Sequence, residues 1–142
     1  MFAEYAMYLA ALLLAVAGSI VYHVSIKQVP AGVNPFLSLA ISYGLAMLVC
    51  LAALPFVAGS RQLAAVDWSS AGVALGILGI ELGFLLAYRA GWSMGVAGLS
   101  STVLSTVLLL PLGYWLFRET QSWPRLAGAG LSLTGLWLML QK

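Results

Sequence analysis

Apolar residues run through this chain in long stretches, broken only where charged residues and Pro/Gly clusters interrupt them. The first stretch covers residues 5–27, ending at Lys27. The turn signal Pro30-Ala31-Gly32-Val33-Asn34-Pro35 follows, and Pro35 suits the first turn of a second helix, over 36–57. A polar segment holding Gly59, Ser60, Arg61 and Asp67 precedes a third stretch, 70–88, which contains one charge, Glu81. Beyond Arg89, Gly91 and Trp92 no charge occurs before Arg118, leaving room for a fourth span over 96–117. The cluster Arg118-Glu119-Thr120-Gln121-Ser122-Trp123-Pro124-Arg125 reads as an interfacial loop, and 126–140 makes a short fifth span. A bilayer-spanning helix needs about 20 apolar residues, so the pattern predicts one domain over residues 1–142 with five transmembrane helices. Barrel strands would alternate polar and apolar positions, whereas Ala10 to Ala17 and Leu108-Leu109-Leu110 are apolar all round. The predicted fold class is an all-α membrane protein.

Composition narrows this further. Of 142 residues 63% are hydrophobic and 7% charged, where a soluble domain would carry about a quarter charged residues. Five spans leave no room for a soluble domain beside them. The net charge of +2 is small and scattered, with no polybasic run, which argues against nucleic acid as a partner and against an anionic-lipid anchor. Cys50 is the single cysteine, so no internal disulfide or multi-cysteine metal site is available. Met1 to Glu4 carries an acid and no Lys or Arg, and the uncharged run continues to His23, so the N-terminal segment reads as a retained span rather than a cleaved signal peptide.

Small residues stripe the later spans: Gly72, Gly76, Gly79 and Gly83 on the third, Ser101, Thr102, Ser105 and Thr106 on the fourth, Gly128, Ser132 and Gly135 on the fifth. Spacings of three and four place each set on shared faces, where membrane helices approach closely. Helix packing is the expected role.

Five spans put the termini on opposite sides, and the loop charges then divide evenly. Arg61, Arg118 and Arg125 fall on the side of the N-terminus, Lys27, Arg89 and Lys142 on the other. Orientation normally follows an excess of Lys and Arg in cytoplasmic loops. A balance of three against three predicts either insertion both ways round, with antiparallel pairing of two copies, or a fixed orientation in which the terminal Lys142 counts for little.

Glu81 is near the middle of its span, where a bare carboxylate costs about 3 kcal/mol or more. It must be protonated, paired, or exposed to a water-filled cavity. A carboxyl that accepts either a proton or a cationic substrate is what proton coupling requires, and either partner neutralises it. The alternatives are a fixed ion pair with Lys27 or Arg89, or a neutral acid hydrogen-bonded across helices. His23 and Lys27 are four residues apart and share a face near the end of the first span, where Lys27 has an easy escape to the headgroups. Tyr88 follows Glu81 by seven residues on the same face, with Trp92 beyond it; aromatics there either box a cationic group or belong to the interfacial belt. The candidate substrate- and proton-binding residues are therefore Glu81, Tyr88, His23 and Lys27. No nucleophile–base pair, metal-ligand cluster or phosphate-binding glycine loop is present in the sequence, so neither an enzyme nor a cofactor is expected.

The stretch from Ile80 to Met139, especially ELGFLLAYRAG at 81–91 and PLGYWLFRETQSWPRLAGAGLSLTGLWLM at 111–139, resembles the EamA-type domain of the drug/metabolite transporter superfamily. Most members of that superfamily carry two such five-helix domains, inverted relative to each other, and this sequence holds one. The resemblance implies half of a ten-helix inverted-repeat fold in a bacterial inner membrane, a small-solute transporter with its pathway among the first four helices, and a homodimer or heterodimer that supplies the other half. Small multidrug resistance proteins, distant relations, place their working Glu in the first span. Here that span has no central acid, so Glu81 is assigned from its own position. The expected function is export of a small cationic or amphipathic metabolite or drug by proton-coupled alternating access. The alternative is a flippase for lipid-linked substrates or a non-transporting subunit of a larger membrane complex.

Overall fold

The structure is a computed structural model that describes residues 2–59, 62–63 and 66–141, with the backbone alone described for residues 2–4. Met1, Ser60, Arg61 and Lys142, which entered the sequence reading, lie outside the described residues. Five helices follow one another: α1 (Phe2–Lys27), α2 (Pro35–Ala53), α3 (Ser69–Arg89), α4 (Met94–Phe117) and α5 (Trp123–Leu140). No strand occurs among the described residues.

Each boundary has a local cause. Asn34 caps α2: its Oδ1 accepts from the amides of Phe36 at 2.9 Å and Leu37 at 3.3 Å, and Pro35 takes the first helical position, where no N–H is needed. Asn34→Ala removes that acceptor and is expected to cost about 1 kcal/mol. The unfolding midpoint in detergent should fall, and Asn34→Asp should restore it. The second span was expected to run to residue 57, but α2 gives way to a 3-10 turn over Leu54–Phe56. Pro55 has no N–H to donate back into the α-helix. Before α3, the carboxylate of Asp67 accepts from the Ser69 amide at 2.9 Å and from the Ser69 hydroxyl. Those bonds hold the exposed Asp67 carboxyl below the usual carboxylate range. The turn therefore keeps this cap above the ordinary carboxylate pKa and loses it only as pH falls through the lowered value. Ser93 caps α4 through the Val96 amide at 3.3 Å, which starts that helix two residues before the expected position. At its other end Arg118 turns left-handed at φ 56°, and the Glu119 amide reaches back to the Gly113 carbonyl at 3.1 Å.

Four helices, α1 to α4, are long and apolar enough to cross a membrane. The expected fifth span corresponds to α5, whose 18 residues rise about 27 Å, near the ~30 Å of a hydrocarbon core.

Contacts divide the chain into two units, Met1–Ala90 and Gly91–Lys142. In the first, α3 packs against both α1 and α2, and the buried apolar side chains are Ile26, Leu39, Leu85 and Tyr88. In the second, α4 packs against α5. Pro111 lies inside α4 and withholds the N–H that the Val107 carbonyl would accept. The Gln121 side chain bends back to donate to the next carbonyl but two, that of Leu110, at 3.2 Å.

The glycine stripe of α3 does not serve the expected packing within its unit. A Cβ built at Gly76, Gly79 or Gly83 meets nothing within 4 Å. At about 100° per residue these glycines lie roughly opposite the face of Glu81, Phe84, Leu85 and Tyr88, which is the face turned to α1 and α2. The hydroxyls of Thr102 and Thr106 on α4, and of Ser132 on α5, bond to carbonyls four residues back in their own helices.

Candidate functional site

Three helices of the first unit converge where the end of α1, the start of α2 and the second half of α3 meet. A cavity of about 140 Å³ lies there, bounded by Tyr22, Ser25 and Ile26 of α1, Val29 of the turn that follows it, Ser38, Leu39 and Ser42 of α2, and Glu81 and Leu85 of α3. Glu81 is half-buried and is the sole charged side chain in this lining. Spacing explains why: on α3 positions 81, 84, 85 and 88 share one face, and on α2 positions 38, 39 and 42 share another.

Two tyrosines attend the carboxyl. The hydroxyls of Tyr22 and Tyr43 are both buried. Neither hydroxyl has a hydrogen-bond partner among the described residues. The Ser42 hydroxyl donates to the Ser38 carbonyl at 3.1 Å, which leaves its oxygen able to accept.

One turn further along α3 an aromatic cluster begins. Phe84 meets His23 edge to face at 4.6 Å between centroids and Tyr22 at 6.0 Å, and it stacks on Tyr88 at 6.0 Å. The Tyr88 hydroxyl and His23 Nδ1 share a hydrogen bond of 2.7 Å. Lys27 Nζ sits 5.5 Å from the Tyr88 ring centroid, within cation–π range. The four residues singled out in the sequence thus fall into two neighbouring groups: Glu81 in the cavity, and Tyr88, His23 and Lys27 in the aromatic cluster. Tyr22 belongs to both. The sequence reading did not find Tyr22, Tyr43, Phe84 or the three serines. Ser38 and Ser42, at helical spacing of four inside an apolar run, were the one available signal.

Arg89 closes this end of the unit. Its Nη2 donates to the carbonyls of Val33 at 2.7 Å and Pro30 at 3.1 Å, tying the last residue of α3 to the α1–α2 turn. At the end of a span the default role of an arginine is anchoring to the headgroups. Arg89→Ala leaves two carbonyls without their charged donor and is expected to cost about 2 kcal/mol, read as a lower unfolding midpoint in detergent. Arg89→Lys should recover only part of it, since an ammonium lacks the planar fork. A full recovery by Lys would return Arg89 to anchoring alone.

The second unit holds a wider, open groove of about 580 Å³ between α4 and α5, bordered by Leu110, Pro111, Tyr114, Gln121 and Leu133 among others. It carries no charged side chain.

The sequence profile of the EamA-like transporter family matches residues 6–141, nearly the whole chain. No curated protein matches the chain, and no solved structure does.

Proposed function

Since the chain belongs to the EamA-like transporter family, a family of multi-pass membrane transporters, we propose that it exchanges protons for a small cationic or amphipathic solute by alternating access, as an antiparallel homodimer in a bacterial inner membrane. The observation that carries this reading is Glu81 at the wall of a small cavity among α1, α2 and α3.

An ionised carboxyl in the membrane interior has to be neutralised. A proton does so, and a substrate cation does so, but one site holds one of them at a time. The exchange is then R–COOH + S⁺ giving R–COO⁻·S⁺ + H⁺, with charge conserved at each encounter. Loaded states of both kinds are neutral and free to reorient, whereas the empty carboxylate is held back by its desolvation cost. That difference is what couples the two fluxes. Two copies inserted in opposite senses would supply the inverted halves that such a pathway uses, and the equal division of Lys and Arg between the two sides is in keeping with insertion both ways.

Proton release on adding substrate to unbuffered protein in detergent tests the exchange at its first step. One proton per bound cation is expected, and binding without proton release would sink it.

A second reading, movement of a lipid-linked substrate, has its own support in the open α4–α5 groove, whose lining is apolar except for Gln121 and the Tyr114 hydroxyl. Translocation of a lipid that ignores both the pH gradient and Glu81 would favour it.

A further inference from the structure

The Glu81 cavity is small, and its polar lining is of one kind. Its volume of about 140 Å³ compares with roughly 300–1,000 Å³ for pockets that take drug-sized ligands. At about 30 Å³ for each water, it accommodates the equivalent of four or five waters. The oxygen-bearing side chains in its lining are those of Glu81, Tyr22, Ser25, Ser38 and Ser42, and no cationic side chain lines it. The two cations at this end of the unit are engaged elsewhere, Arg89 on the α1–α2 turn and Lys27 over the Tyr88 ring. The Tyr22 hydroxyl is buried beside the carboxyl without a hydrogen-bond partner among the described residues. A buried hydroxyl left in that state costs free energy that a ligand can return. The remaining wall, Leu39 with Ile26 and Leu85, is aliphatic.

Resting on the transport reading above and narrowing it, we propose that this cavity takes a small primary alkylammonium ion and excludes bulky quaternary or aromatic cations. A primary ammonium brings three N–H donors to a site rich in acceptors. One meets the Glu81 carboxylate, another the Tyr22 oxygen, and a third a serine oxygen, while a tail of two to four carbons lies against Leu39. A quaternary ammonium has no N–H to offer and leaves Tyr22 unsatisfied, and a bulky one such as tetraethylammonium also overfills the cavity.

The test uses the purified full chain in detergent, with binding followed by calorimetry and thermal stability. The probes are ethylammonium, butylammonium, tetraethylammonium, tetraphenylphosphonium and acetate. Ethylammonium and butylammonium should bind saturably, at least about tenfold tighter than tetraethylammonium, the difference that one to two hydrogen bonds support. Glu81→Gln should abolish this binding. Tyr22→Phe should weaken primary ammonium alone, and Leu39→Ala should admit tetraethylammonium and narrow the ratio. The last two variants carry the test if Glu81→Gln fails to fold, because loss of structure would not shift selectivity between probes. Glu81-dependent binding of tetraethylammonium or tetraphenylphosphonium as tight as that of ethylammonium overturns the inference and leaves the transport reading intact. Ethylammonium binding that survives Glu81→Gln, or saturable acetate binding in its place, also overturns it. Glu81-dependent ethylammonium binding without pH-driven uptake into vesicles does the reverse: the site assignment stands and transport falls.

Discussion

Glu81→Gln is expected to reduce pH-driven substrate flux in reconstituted vesicles to the level of empty vesicles, while the protein inserts and folds as before. Glutamine is nearly isosteric with glutamic acid and keeps its hydrogen-bonding reach, but it has no proton to release. The substitution also removes the cost of a charge at membrane depth, about 3 kcal/mol on insertion scales, so thermal stability should hold or rise. Both signs matter. If Glu81 only packs or pairs, Gln would lower the unfolding midpoint and leave the pH dependence of flux unchanged. Glu81→Asp separates the cases further: the carboxyl remains but withdraws by one methylene from Tyr22 and the serines of the cavity. Reduced flux with the pH dependence preserved is expected there.

Reporters fused to the C-terminus should be active on both sides of the membrane in comparable amounts. An enzyme that works only outside and a fluorophore that matures only inside give the two readings. The expectation rests on charge arithmetic. Lys27 and Arg89 lie at the same end of the first unit, where Arg89 bonds to the turn that follows Lys27. Arg118 and Arg125 flank the α4–α5 loop, and with Arg61 and Lys142 the sequence count is three on each side. Because K/R bias sets orientation, a few added charges should tip the balance strongly. Three lysines appended to the C-terminus should hold that end inside and suppress the outer signal. Flux should fall with it, since copies of one orientation cannot form the inverted pair. A purely one-sided signal from the unmodified chain would eliminate the dual-topology dimer.

The helices were legible because membrane spans are announced locally, by runs of apolar residues and by the charges and prolines that break them. Asn34-Pro35 and Ser93 fixed starts in the same local way, and Pro55 ended α2 earlier than hydropathy alone suggests. The fifth helix starts three residues before its expected position because Trp123, Pro124 and Arg125 are already helical, with Pro124 in the first turn where its missing N–H is harmless. Glu81 was legible for a single reason, that a charge in an apolar run has to be accounted for. Its companions were not. Tyr22 and Tyr43 look like any interfacial tyrosine in a sequence, and Ser25, Ser38 and Ser42 are the small polar residues that membrane helices use everywhere. What selects them is which faces of α1 and α2 meet α3, and that depends on contacts between residues tens of positions apart. The stripe of Gly76, Gly79 and Gly83 meets no neighbour within its own unit: periodicity shows which residues share a face, and says nothing about which neighbour that face meets.

The grip of Arg89 on Pro30 and Val33 is made to main-chain oxygens. Every residue type carries a carbonyl, so the identities of residues 30–33 are constrained by the shape of the turn and not by the arginine. Over evolutionary time position 89 should resist replacement, lysine included, while Val33 drifts freely among residues that keep the same bend. A comparison of diverged sequences would show an unchanging arginine with no covarying partner. Methods that infer contacts from paired substitutions would therefore miss this one, although it joins two parts of the chain more than fifty residues apart.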